Sequence, residues 1–419
     1  MLRFSIANAT DEFEIVTSAP KKAHKRSKGE RGTLKSNQKK TAESVGCEKQ
    51  LLQPAWNDED DDTSSSLFRP PRALDVLVQS ECSADVSDDS FAVARKSAAF
   101  NPQGTSDLPY GKEIGIRRLC DANRERRSMA SLVSTEFNAH YLMLLTASVD
   151  STMAFFKVDG SESTLLRDRV YEDFSISSAK FTAHGDKVIF TGNVGSFRIY
   201  NLETGSEMFI SSAHPNLAAL GTNGSTVYLV DLRSLEKISV IQGSGLINSV
   251  CFTQDGTFLN TYGDEGSVYV FDLRSNKPRV VHRWFDQAST NGLSIASSPN
   301  SQWIACGSDS GYVNLYKWTS TMSTDNPQPE KVIGNLVTGA DSLCFHPSNE
   351  ILCLASSQRA DAVRLYHLNE GLIFENFPVR VGTLQKPTSI GFSPGGRYLC
   401  IGQCNGRAAL YSLNHYSNY

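Results

Sequence analysis

The chain has 419 residues, with 41 Lys or Arg against 45 Asp or Glu and a formal charge of −4, a balance that argues neither for nor against a nucleic-acid partner. The length allows one large domain with a tail, or two domains. No apolar run approaches the ~20 residues of a membrane-spanning helix, and the opening MLRFSIANATDEFEIV is charged too early and too often for a secretory signal.

The nine cysteines form no CxxC spacing, and most fall inside apolar runs. That suits reduced thiols packed as small hydrophobes in an intracellular protein. Cys400 and Cys404 are the one close pair, with no His or second pair at ligand spacing around them, so neither a metal nor another cofactor is expected.

Residues 1–110 show no repeat and read as a largely disordered, charged tail. Residues 21–40 hold nine Lys or Arg against one acid, Glu30. Such a block stays solvated unless it meets an acidic partner, so Lys21, Lys22, Lys25, Arg26, Lys28 and Arg31 are candidates for nuclear import or RNA phosphate contact. Trp56 stands beside Asp58, Asp60 and further acids. Those charges cannot be buried with it, which makes Trp56, Asp58 and Asp60 a candidate anchor for a partner. At 114–119 an Ile-Gly-Ile-Arg-Arg-Leu run reads as a strand, followed by Arg124, Arg126 and Arg127, a second candidate RNA contact.

From 111 to 419 the chain is built of copies of one unit, at 132–160, 176–205, 208–234, 247–277, 292–320, 340–370 and 387–416. Each reads as short apolar strands joined by tight turns. The fourth is the plainest: three runs separated by Gln254-Asp255-Gly256 and Asp264-Glu265-Gly266. Val268 and Val270 point one way and Tyr269 and Phe271 the other, so both faces of this sheet must be covered by neighbours. Phe137, Phe181, Phe252, Phe345 and Phe392 close the first strand of five copies. Phe209 takes that place in the shortened third copy and Ala296 in the fifth. A period of about 45 residues, with three strands visible and room for a fourth, predicts an all-β, seven-bladed WD40 β-propeller. Asp231 and Asp272 close strands as VDL and FDL where the usual repeat has Trp-Asp; Asn201 and His367 stand there elsewhere. A ring of sheets must close, and a stretch before Ser131 is expected to complete the last one.

No phosphate-binding loop, nucleophile elbow or zinc-protease motif is present. His140, His184, His214, His346 and His367 fall at turns or strand ends, and Asp186, Asp255, Asp264 and Asp309 at hairpin tips, where Asp suits turn geometry. The inner strands offer small residues such as Ser249, Ala296 and Ser342 in place of a polar cluster, so no enzymatic activity is expected.

The run GIRRLCDANRERRS, the first-copy segment LLTASVDSTMAFFKVDG, the tail segment PAWNDEDDD and the ending GRAALYSLNHYSNY together resemble the U3 small nucleolar RNA-associated protein 18 family. The resemblance implies a non-catalytic nucleolar scaffold of the small-subunit processome. It further implies a place in the UTP-B subcomplex beside tandem-propeller and helical-repeat proteins, with U3 ribonucleoprotein and precursor ribosomal RNA as partners. Some members carry an arch-interacting motif for the exosome helicase. Leu67-Phe68-Arg69-Pro70-Pro71 lacks its acid, so that role is not carried over. The other function this architecture accommodates is a substrate receptor or chromatin-binding adaptor, which would copurify with ligase subunits or nucleosomes.

Overall fold

Tight turns set the strand path. Gly256 and Gly266, at the two turns of the fourth copy, both have φ +68°, a conformation that costs a residue with a Cβ about 1–2 kcal/mol. The structure, a computed structural model, describes residue 108 and residues 111–419 except 161, 173, 183, 193–196, 203–216, 222–224, 232–236, 275–277, 288, 380–381 and 417–418. The lysine-rich block, the Trp56 segment and, apart from Leu108, the expected disordered tail therefore lie outside the described residues.

A short strand β1 (Ile116–Arg118) precedes the first sheet, which is β2 (Leu132–Phe137), β3 (Met143–Ser148), β4 (Thr152–Asp159) and β5 (Glu162–Val170). The second sheet is β6 (Ile176–Phe181), β7 (Lys187–Gly192) and β8 (Phe197–Asn201), and the third β9 (Leu217–Gly221), β10 (Thr226–Asp231) and β11 (Lys237–Gln242). The fourth is β12 (Ile247–Phe252), β13 (Phe258–Gly263), β14 (Ser267–Asp272) and β15 (Arg279–Phe285). The fifth is β16 (Gly292–Ser297), β17 (Trp303–Ser308), β18 (Val313–Lys317) and β19 (Lys331–Ile333), with a one-turn helix α1 (Trp318–Thr321) before β19. The sixth is β20 (Ser342–Phe345), β21 (Ile351–Ala355), β22 (Val363–His367) and β23 (Leu372–Ile373). The last is β24 (Pro387–Phe392), β25 (Tyr398–Gln403) and β26 (Ala408–Leu413), completed on its outer side by β1.

Every pairing within these sheets is antiparallel, for example Phe258 opposite Asp272 and Tyr398 opposite Ser412. Neighbouring sheets meet through their inner strands: β2 touches β6 and β24, β16 touches β12 and β20, and β20 touches β24. The second and third sheets share one apolar cluster, where Ile189 and Ile199 pack with Ala219 and Val227. β9 then reaches β12. This is the all-β propeller that the repeats require.

The expectation of a seven-bladed ring is corrected to six blades among the described residues, the shortened third unit falling short of one. Six sheets have a described innermost strand (β2, β6, β12, β16, β20, β24), and the β9–β10–β11 sheet has none among the described residues. Leu217 pairs with Asp231 as Phe258 pairs with Asp272, so β9 holds the second-strand position. Phe209, expected to end that unit's first strand, lies outside the described residues. A second correction concerns the fifth unit. Ser297 pairs with Ile304 as Phe252 pairs with Leu259, so Ser297, not Ala296, occupies the aromatic's place.

The expected two-sided burial is plain in β3, β25 and β26, whose residues are all buried. Each fully covered Leu or Phe contributes roughly 1.5–3 kcal/mol. Phe137, Phe181, Phe252, Phe345 and Phe392 are all buried at the ends of their strands.

The closing strand also behaves as expected. Ile116, Arg117 and Arg118 pair with Leu413, Ser412 and Tyr411. Beyond β1 the chain keeps its grip: Leu119 N–H donates to the Leu410 carbonyl at 2.9 Å and Ala122 N–H to the Ala408 carbonyl at 2.8 Å. Before β1, the Asn376 side chain both accepts from Ile114 N–H (3.2 Å) and donates to the Ile114 carbonyl (2.7 Å).

Candidate interaction surfaces

The six described inner strands each carry a serine three residues before their last residue: Ser134, Ser178, Ser249, Ser294, Ser342 and Ser389. All six line one narrow central cavity of about 120 Å³. Four of these hydroxyls are used between neighbouring sheets. Ser134 donates to the Ala179 carbonyl at 2.5 Å, Ser294 donates to the Ala340 carbonyl at 2.6 Å, and Ser249 accepts from Ile295 N–H at 3.2 Å. Thr135 and Ser389 hydroxyls meet at 3.0 Å across the seam between the first and last sheets. Ser249, Ala296 and Ser342 mark the inner strands as small-residue strands in the sequence. The ring of hydroxyls does not show in any single copy, although Ser at a fixed distance from the strand end is its signal. Gly391 shows how close these strands run, because a Cβ there would stand 2.6 Å from the Thr135 carbonyl oxygen.

Charge in the cavity is sparse. Lys180 reaches Glu136 at 3.5 Å, and Glu136 also accepts from Phe181 N–H at 2.7 Å. Burial pushes the Asp341 carboxyl up, while Ser357 N–H (2.8 Å) and the Ser357 hydroxyl bind it. Asp286, between sheets four and five, accepts from Tyr262 (2.5 Å), Tyr316 (2.6 Å) and Asn314 (2.8 Å), and burial raises its pKa. Each of these carboxylates is engaged by the scaffold, so the arrangement holds strands together.

At the rim, hairpin acids tie down the incoming loops. Asp150 accepts from Met129 N–H at 2.9 Å, Asp264 from Leu246 N–H at 3.0 Å and Asp309 from the Thr290 hydroxyl at 3.2 Å. Asp186 and Asp255 are likewise bound by Thr182 and Thr253 hydroxyls. These are the turn roles expected of Asp186, Asp255, Asp264 and Asp309, Asp150 adds a fifth, and together they give the ring preformed loops.

Among the described residues, His346 is the most buried of the singled-out histidines, at 1% exposure. Its Nε2 lies 2.9 Å from the Gly396 carbonyl and its Nδ1 2.7 Å from the Ser348 hydroxyl, and its ring packs on Tyr416 at 4.1 Å. Burial drives its pKa down to about 4. Ser348 and Tyr416 hydroxyls both donate to Glu350, at 3.0 and 2.6 Å, and Leu108 N–H donates to the other Glu350 oxygen at 3.1 Å.

The arginines expected to contact RNA lie on the seam where the chain leaves the closing strand, and all three are exposed. Arg126 pairs with Asp168 at 3.1 Å and Arg127 donates to the Asn405 carbonyl at 3.0 Å. Arg124 projects without an ion pair among the described residues. Cys400 is buried and Cys404 exposed, and among the described residues no group of three or more His, Cys, Asp or Glu could hold a metal ion.

The WD40 family model (WD domain, G-beta repeat) matches residues 284–317, from the end of β15 through β18. The chain is similar to the U3 small nucleolar RNA-associated protein 18 homolog of Mus musculus, 34% identical over 332 residues, covering 75% of this chain and 60% of that protein. It is similar to the homolog of Arabidopsis thaliana (32% over 316 residues, 72% of this chain, 57% of that protein) and to U3 small nucleolar RNA-associated protein 18 of Saccharomyces cerevisiae (28% over 387 residues, 76% and 64%). The chain belongs to the U3 small nucleolar RNA-associated protein 18 family. It spans about 60% of the length of the curated relatives it matches. Of the segments that carried the resemblance to the U3 small nucleolar RNA-associated protein 18 family, PAWNDEDDD lies outside the described residues and the others have places. GIRRLCDANRERRS is the closing strand and its arginine-bearing exit, and GRAALYSLNHYSNY is β26 with the tail that docks Tyr416.

Proposed function

We propose that this propeller is a non-catalytic scaffold subunit of the U3 small nucleolar ribonucleoprotein. It works in the nucleus, in the nucleolus, within the small-subunit processome. Its neighbours there are the propeller and helical-repeat proteins of the UTP-B subcomplex, and it supports the precursor cleavages that mature the small-subunit ribosomal RNA. The observation that carries this reading is the closing seam: a segment on which the resemblance rests also completes the ring and presents Arg124, Arg126 and Arg127 outward. Preformed loops on a rigid ring suit many independent protein contacts.

Within this reading, Arg124, Arg126 and Arg127, with Lys21, Lys22, Lys25, Arg26, Lys28 and Arg31 of the tail, meet RNA phosphates. Trp56, Asp58 and Asp60 anchor a protein partner. The test is affinity purification of the tagged full chain from nuclear extract, together with depletion in cells. The expected result is recovery of U3 small nucleolar RNA and accumulation of uncleaved precursor. Recovery of ligase subunits or nucleosomes without that RNA, with normal precursor processing, would overturn the reading.

A further inference from the structure

Two adjacent sheets have outer strands too short to cover what lies beneath them. β19 has three residues and β23 two, against nine in β5 and seven in β15. β23 pairs only with Tyr366 and His367; Phe374 N–H still donates to the Leu365 carbonyl at 3.0 Å, but Val363 and Arg364 of β22 have no strand outside them. Gly334 ends β19 beneath the Tyr312 ring, where a Cβ would stand 2.7 Å from the ring edge. The missing strand length leaves a crease of about 600 Å³ between sheets five and six, within the range of ligand and peptide sites.

Val332, Ile333, Leu372 and Ile373 give the crease one apolar stretch in a lining that is otherwise largely polar, and Arg364 and Lys112 stand at its mouth together with Glu375. Its floor is the buried pair Phe374 and Phe377, and Val332 on its wall is 57% exposed. The outer edge of β19 is the end of its sheet and offers main-chain groups to an added strand. Arg364 donates only to the main-chain carbonyls of Asp361 and Val363, at 3.1 and 2.7 Å, so its charge has no carboxylate partner among the described residues. Lys112 stands at the mouth, in a solvent-screened pair with Glu375.

We propose that this crease receives an acidic, extended segment of a partner protein. The segment runs along the free edge of β19, sets an aromatic or branched apolar side chain against Val332, and places carboxylates on Arg364 and Lys112. The unpaired charge of Arg364 selects acid, while the apolar stretch and open strand edge select a peptide over a nucleic-acid strand, which would meet too few cations here. The assignment stands independently of the reading of the whole chain as a ribonucleoprotein subunit.

The experiment is fluorescence anisotropy of the full chain with a labelled peptide probe, one Trp followed by alternating Asp and Glu. Arg364→Glu with Lys112→Glu is expected to weaken binding at least ~10-fold, and Val332→Asp comparably. Arg364→Gln, which adds no charge, is expected to give a smaller loss and keeps the test open should the double variant unfold in a circular-dichroism melt. Unchanged binding in Arg364→Gln and Val332→Asp overturns the proposal. So does an oligouridylate probe whose binding, in place of the peptide's, depends on Arg364. A Trp56→Ala chain that takes up the probe more tightly would assign the crease to this chain's own tail and overturn the partner assignment.

Discussion

The Asn123 side chain straddles the seam that closes the ring and is matched to Ala408 on the other side. Its amide oxygen accepts from Ala408 N–H at 3.0 Å, while its nitrogen donates to the Gly406 carbonyl at 2.7 Å. Asn123 is 1% exposed and Gly406 is buried, so neither main-chain group has water as an alternative.

Asn123→Ala therefore leaves a buried donor and acceptor unmatched. The expected cost is about 2–6 kcal/mol, since each of the two orphaned groups loses about 1–3 kcal/mol. Urea titration of the full chain followed by tryptophan fluorescence reads it. A change below about 0.5 kcal/mol would show that the seam is not held there.

Truncation separates the tail from the ring. Removing residues 1–105 keeps Leu108, Ile114 and β1, and is expected to leave the melting temperature unchanged. Removing 1–130 strips the outer strand from the last sheet, exposes the β26 edge and uncovers the cluster that contains Ile114. Insoluble or early-melting protein is expected for that form alone. Equal soluble yield and melting temperature for both would refute the role of β1.

Gly396 has φ +83°, and a Cβ there would stand 2.2 Å from His346 Nε2. Gly396→Ala meets both backbone strain and a clash with a buried, hydrogen-bonded ring. A destabilisation of at least ~2 kcal/mol is expected. His346→Ala in the same chain relieves the clash but not the strain, so the double variant should be destabilised by less than the two single effects combined.

The same histidine gives a pH signature. Its folded pKa is lowered to about 4 from 6.5, so the folded state holds it neutral while the unfolded state takes up a proton. The contribution is complete above about pH 6.5 and is lost as pH falls towards 4. It is at most on the order of 3 kcal/mol. Stability of the chain and of His346→Gln, measured from pH 7.5 to 4, should converge as the pH drops. Parallel curves would remove His346 from the acid sensitivity.

Arg124→Glu, Arg126→Glu and Arg127→Glu should weaken RNA binding and lower the slope of log affinity against log salt by about one for each phosphate no longer neutralised. Filter binding with a precursor ribosomal RNA fragment across a salt series measures it. An unchanged slope in the triple variant would take the seam out of the RNA interface. Arg126 gives up its exposed pair with Asp168, which at a half-exposed site is expected to change stability little.

Much of the fold is legible in the sequence because period and turn chemistry act locally. The glycines at 256 and 266 and the phenylalanines at strand ends fix where strands start and stop. What escapes depends on registers between strands. Ala296 stands in for Ser297 because Ser-Pro-Asn follows without an aromatic to mark the end, and only the pairing of Ser297 with Ile304 settles it. The serine ring is spread over six copies and visible one residue at a time. The crease is hidden more deeply: β19 and β23 are stubs because pairing stops early, and no residue within them announces it. The arginines at 124–127 can be placed beside the ring's entry from the sequence, but the partial claim that Asp168 and Asn405 make on two of them needs the sheet edge to be in place.

The last sheet takes its outer strand from the start of the domain and its other three from the end. On a translating ribosome, then, β1 has no partner until Leu413 has emerged. The nascent domain stays an open arc through nearly all of its synthesis, with a hydrogen-bonding edge exposed at its leading end. A nonsense codon anywhere in the final hairpin would leave both ends of that arc unpaired, and a chaperone that shields the waiting strand would be of most use in that interval.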